Sequence, residues 1–196
     1  MKIKYTIFIL LLSLLGFTKS YSIQPDIFVQ STVNKASSVL SSEISKEKKI
    51  SELKLIAKET VDIKGIGFYT LGSARKNLND EQKKKYAELF EQYFLKSFSS
   101  RLAEYTNPEI SVEGKKVLSE KYTIVNSLLK GTNERPEIKI DWRIYTKNPD
   151  NPLIRDLIIE GLSLARTQKE EFQSILNSNE GNIEVLFNTL REFSEQ

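Results

Sequence analysis

The sequence predicts an α+β fold, and the spacing of its apolar residues carries that reading. Between Pro25 and Tyr105 they recur at helical spacing, and between Ile110 and Glu160 they alternate at strand spacing. From there to the end of the chain the helical spacing returns. Helices, then strands that follow one another directly, then helices describe a continuous antiparallel meander covered by helices. With 196 residues, 39% hydrophobic and 28% charged, one domain buries a core without metal or disulfide support.

Asp26 is placed to cap the first helix, whose apolar face is Val29, Val33, Ala36, Leu40 and Ile44. A short second helix carries Leu53, Ile56 and Ala57, and the lysine-rich residues 46–49 between the two read as a solvated turn. Residues 61–72 (VDIKGIGFYTLG) form a third helix with Val61, Gly65, Phe68 and Gly72 on one face. Each interior glycine costs about 1 kcal/mol relative to Ala, which points to a close approach of neighbouring atoms. A phosphate-cradling loop is the alternative, but the glycine spacing matches neither a dinucleotide nor a P-loop signature and no strand precedes it.

Asn79 caps a long fourth helix, with Gln82 completing a capping box. Along it run Tyr86, Leu89, Phe90, Tyr93, Phe94, Ser97, Phe98, Arg101, Leu102 and Tyr105 at i, i+3, i+4, i+7 spacing. This aromatic stripe reads either as ordinary core or as the wall of an apolar cavity. Four strands follow, at residues 110–118, 122–129, 137–145 and 153–160. The third puts Ile138, Ile140, Trp142 and Ile144 on one face and Lys139, Asp141 and Arg143 on the other. The second is apolar on both faces, with Tyr122, Ile124 and Leu128 opposite Val125 and Leu129, so helices or a ligand cover both sides there. Asn148-Pro149-Asp150-Asn151-Pro152 turns the chain into the last strand. Gly161-Leu162-Ser163 then turns it into a helix over residues 164–177, capped by Ser163 or Thr167. Asn182 starts the final helix, with the face Ile183, Leu186, Phe187 and Leu190.

The chain has no Cys and no His, which removes disulfides, thiol nucleophiles, Cys/His zinc sites and imidazole bases. No acidic cluster has metal-ligand spacing. Gly161 and Ser163 match half of a nucleophile elbow but lack its second glycine and any His, so capping is the role read for Ser163. Asp156 and Glu160 share a strand face with Ile154 and Ile158; a buried carboxylate there serves as a base, or bonds to backbone and Arg143 in a structural role.

The formal charge of +3 resides in Lys2, Lys4 and Lys19; without them 26 basic residues face 26 acidic ones. A balanced chain has no basic stripe for nucleic acid, which is not expected as a partner. Met1-Lys2-Ile3-Lys4 followed by the apolar residues 7–17 reads as a secretory signal peptide over residues 1–20. As a helix that run spans roughly 16 Å at ~1.5 Å per residue, short of the ~30 Å hydrocarbon core. Residues 21–196 are then a single mature domain, soluble and outside the cytoplasm.

The order of VDIKGIGFYTLG, then LNDEQKKKYAELFEQYFLKSF at residues 78–98, then RDLIIEGLSL at residues 155–164, resembles the MlaC family. These are periplasmic phospholipid-binding proteins of the maintenance-of-lipid-asymmetry pathway, also called toluene-tolerance auxiliary components. The resemblance implies a twisted antiparallel four-stranded sheet wrapped by about six helices around an apolar lipid cavity, in the periplasm. It implies phospholipid as cargo with no cofactor. The partners it implies are an MCE-domain ABC transporter at the inner membrane and an outer-membrane lipoprotein–porin complex. The side chains expected to meet lipid are Phe68, Leu71, Phe90, Tyr93, Phe94, Phe98, Leu128, Ile140, Trp142 and Ile158. Where the family often has a Trp and a Tyr before the Asp of the last strand, this chain has Pro152 and Arg155. Beside the carrier stand two other classes: a small cone-shaped isomerase- or dehydratase-like α+β enzyme using a buried Asp, and a secreted interaction module.

Overall fold

A computed structural model describes residues 22–105, 107–133 and 135–196, so the signal-peptide reading of residues 1–20 lies outside the described residues. Its elements are α1 (Pro25–Ser41), α2 (Lys46–Thr60), α3 (Ile63–Thr70), a 3-10 turn (Ala74–Lys76) and α4 (Asp80–Leu102). After these come β1 (Ile110–Ser119), β2 (Tyr122–Leu129), β3 (Ile138–Tyr145), β4 (Leu153–Ile159), β5 (Leu162–Ser163), α5 (Leu164–Asn177) and α6 (Ile183–Glu195). The α+β reading holds, with six α-helices among the described residues and one antiparallel sheet in the order β1-β2-β3-β4-β5.

The sheet has five strands rather than four. Glu160 and Gly161 both have positive φ, 48° and 83°, the geometry of a two-residue hairpin turn, and it returns Leu162 and Ser163 to pair with Ile159 and Ile158. A register shift in β4 is a second departure. Ile144 pairs with Ile154 but Arg143 pairs with Asp156, which leaves Arg155 as an extra residue. Past this bulge the alternation inverts, because a one-residue slip moves each following side chain to the other face. Leu157 and Ile159 therefore stand beside Trp142 and Ile140, while Ile158 stands beside Asp141.

The helix ends follow local chemistry. Pro25 occupies the first turn of α1 and Gln24 precedes it, so Asp26 is not the cap; its carboxylate takes Lys115 Nζ at 2.7 Å, which holds it below the usual carboxylate range. Residues 46–49 are the first turn of α2 rather than a loop, since the Ser45 hydroxyl accepts the Lys48 N–H and Lys48 pairs with Glu52 at 2.7 Å. In α3 the cap is Asp62, accepting the Gly65 N–H at 2.8 Å, while Val61 stays extended and bridges to Ile154 of β4. A β-carbon on Gly67 would lie 2.7 Å from the Phe90 ring, so its absence lets α3 pack flush on α4. The capping box of Asn79 and Gln82 opens α4, and Tyr105 lies beyond its end.

Tyr86 sits at the centre of the helical core, fully buried between the rings of Phe68, Phe90 and Phe187. Its hydroxyl donates to Thr70 Oγ1 at 2.8 Å, and Thr70 donates onward to the Gly67 carbonyl at 2.7 Å. Burial pushes the Tyr86 phenol far above its ordinary value near 10, more than the hydrogen bond to Thr70 lowers it, because ionisation would strand a charge in the core. A folded-state value above the unfolded one means a contribution fully present below about pH 10 and lost progressively above it. Urea melts between pH 8 and 11 should show stability falling above pH 10, with Tyr86→Phe flattening that fall; an identical slope in both proteins would assign it to other groups.

Candidate functional site

The inner face of the sheet does not close onto the helices. Between them lie two apolar spaces, a wider one of about 430 Å³ under the C-terminal half of α4 and against α5 and α6, and a narrower one of about 150 Å³ against α1 and α2. Val61, Phe98, Trp142, Ile154 and Leu157 border both, so the two spaces adjoin as two limbs of the apolar interior.

Each wall has a local cause. The i, i+3, i+4 spacing in α4 turns Phe90, Tyr93, Phe94 and Phe98 toward the wider limb, and the Phe94 and Phe98 rings stack at 5.5 Å and 10°. The sheet supplies Trp142, whose Nε1–H donates to Ser127 Oγ at 2.8 Å while Ser127 donates to the Ile140 carbonyl at 3.0 Å. That relay satisfies the only polar atom of the indole and fixes its plane against the floor. In the narrower limb the small side chains Ala36 and Ala57 on α1 and α2 leave room between Val33, Leu40 and Ile56.

Polar groups gather along the wider limb at Ser97, Arg101, Thr167, Gln168, Glu171 and Thr189. Tyr93 donates to Gln168 Oε1 at 2.7 Å, and Gln168 Nε2 donates to Glu171 at 2.8 Å. Burial, with the nearby Glu171 charge, raises the Tyr93 phenol, so this hydroxyl stays a neutral donor.

Asp156 is 4% exposed, and both of its oxygens are engaged. The Ser163 hydroxyl donates to Oδ2 at 2.6 Å, the Ala165 N–H donates to Oδ1 at 3.0 Å, and Arg143 lies 3.7 Å away. Ser163 Oγ in turn accepts the Arg166 N–H at 3.1 Å and caps α5. The carboxylate therefore ties α5 to β4, the structural alternative for this residue. Glu160 is exposed and accepts the Lys139 N–H across the strand. Arg155 lies over the Tyr145 ring at 3.9 Å, donates to Tyr122 at 2.9 Å and to Asp62 at 2.7 Å, and so joins α3 to the sheet.

Of the ten residues singled out from the sequence, Phe90, Tyr93, Phe94, Phe98, Ile140 and Trp142 border the two limbs. The other four lie elsewhere. Phe68 packs beside Tyr86 in the helical core, and Leu71 is fully buried where Gln173 donates to its carbonyl. Leu128 pairs with Lys139 and Ile158 with Asp141, on the sheet face turned away from the limbs. The sequence reading missed the narrower limb, whose walls Val33, Leu40 and Ala57 were visible only as ordinary helix faces. It also missed Leu157 and Ile159, which the bulge turns inward.

Among the described residues no group of His, Cys, Asp and Glu is arranged to hold a metal ion, and no helix is long and apolar enough to cross a membrane. Fold and site together define an α+β protein whose helices and sheet enclose an apolar interior with polar groups at its border. The chain belongs to the MlaC family, whose model, "MlaC protein", matches residues 30–192. A solved structure described as the phospholipid-binding protein from Ralstonia solanacearum in complex with a phospholipid shares the fold. Its TM-score is 0.74 at 18% identity, covering 89% of this chain and 98% of that one. A search of curated proteins finds no match.

If Asp156 is the tie between β4 and α5, Asp156→Asn should cost roughly 1–3 kcal/mol, because an amide nitrogen would meet one of two donors in a buried site. Urea denaturation reads this directly; an unchanged midpoint would remove the tie.

Proposed function

We propose that this protein is a periplasmic phospholipid carrier that holds acyl chains in its two apolar limbs and passes the lipid between membrane transport complexes. The observation that carries the reading is the pair of adjoining apolar spaces that share Phe98 and Trp142, the wider one also bordered by Phe94. Membership in the MlaC family and the phospholipid held by the Ralstonia solanacearum protein of the same fold support it. In this reading residues 1–20 are a cleaved signal peptide, residues 21–196 are the lipid-binding domain, and Phe90, Tyr93, Phe94, Phe98, Ile140 and Trp142 meet the acyl chains. Phe68, Leu71, Leu128 and Ile158 act in packing. The headgroup lies at the polar border of the wider limb.

Energetics determine how such a carrier works. Two acyl chains removed from water contribute on the order of 20 kcal/mol at ~0.8 kcal/mol per methylene, near the ceiling of non-covalent affinity. Release into water is therefore too slow to use. Transfer between apolar sites has a small net difference, so unloading requires docking. The partners that fit are an inner-membrane ABC transporter with an MCE domain and an outer-membrane lipoprotein–porin complex. A catalytic role finds no support in Asp156, whose oxygens are committed to α5.

The test is native mass spectrometry of the full chain exported to a Gram-negative periplasm, followed by lipid extraction. Diacyl phospholipid at about one per protein is expected. Phe94→Glu places a charge against the apolar limb, where burying it costs more than the ~1.4 kcal/mol that equals a tenfold change, so lipid retention should fall at least tenfold. Protein that emerges without lipid, or turnover of ester or ketone substrates that vanishes in Asp156→Asn, would overturn the carrier reading.

A further inference from the structure

The two limbs differ in size and share Val61, Phe98, Trp142, Ile154 and Leu157 in their walls, and the two sides of this shared border, the neck, are held differently. On the sheet side Trp142 is fixed through Ser127 to the Ile140 carbonyl, and Val61 is fixed by its bridge to Ile154. On the helix side Phe98 is half-buried and its ring rests on Phe94, a contact without hydrogen bonds. Phe98 is thus the side of the neck that has no hydrogen bond to break when its rotamer changes. The limb of about 430 Å³ is almost three times the size of the limb of about 150 Å³. Two tails of one lipid therefore meet unequal compartments.

We infer that Phe98 determines acyl-chain specificity: it meters how much of one tail passes the neck into the limb between α1, α2 and the sheet, and so selects the length of that tail. The inference rests on the carrier reading and adds to it which tail is measured and by what. The far end of the same limb is bordered by Ala36 of α1, on an element separate from α4, which gives an independent handle.

The experiment compares chain-resolved mass spectra of lipids extracted from the exported wild type, Phe98→Ala and Ala36→Leu. Phe98→Ala should lengthen the bound acyl chains by about three carbons, the room a ring vacates at ~30 Å³ per methylene. Ala36→Leu should shorten them by a similar amount or shift the pool toward single-chain lysophospholipid. Should Phe98→Ala not fold, Phe98→Leu, which removes the ring but keeps an apolar side chain, takes its place beside Ala36→Leu. Loaded wild type with the same chain distribution in every variant that folds overturns this inference and leaves the carrier reading standing. So does a shift in Phe98→Ala without one in Ala36→Leu, since the neck and not the limb would then be sensed. Wild type without lipid overturns the carrier reading itself.

Discussion

Two consecutive residues of the bulged strand, Arg155 and Asp156, hold the helices to the sheet, and the apolar interior depends on them. Arg155 reaches Asp62 at the start of α3, and Asp156 reaches Ser163 and Ala165 at the start of α5. Both attachments are charge-assisted and shielded, the kind that resists sliding. With α3 and α5 fastened at one edge and α1 joined to β1 through Asp26 and Lys115, α4 spans a gap it does not fill. On the carrier reading acyl chains fill that space, so cargo and fold stabilise each other.

The same bulge separates what was legible in the sequence from what was not. The stripe of Phe90, Tyr93, Phe94 and Phe98 and the alternation of Ile140 and Trp142 were readable because each follows an unbroken period. Whether the stripe was core or wall was not readable, since both need the same apolar side chains. Ile158 was placed by extending a two-residue alternation through β4, and Arg155 breaks it there. Leu128 was ambiguous because both faces of β2 are apolar, and register with Lys139 decided against the limbs. The two-residue strand at Leu162 was hidden by its length. Its turn offered only Gly161 as a signal, because Glu160 is not a residue type that favours the positive φ it adopts.

On the carrier reading a site must be tight enough to keep its cargo and open enough to surrender it. The sheet side holds Trp142 by a hydrogen bond into the floor, and the helix side presents the stacked rings of Phe94 and Phe98, which make no polar contact.

On the carrier reading acyl chains lie in the interior against Trp142, the single Trp of the chain. Loading the delipidated full-length protein with phospholipid brominated along its acyl chains, and reading Trp142 fluorescence against the same lipid without bromine, tests it directly. The account expects strong quenching by the brominated chains, lost when unlabelled lipid competes them out. Stoichiometric binding of brominated lipid with Trp142 emission unchanged would contradict it.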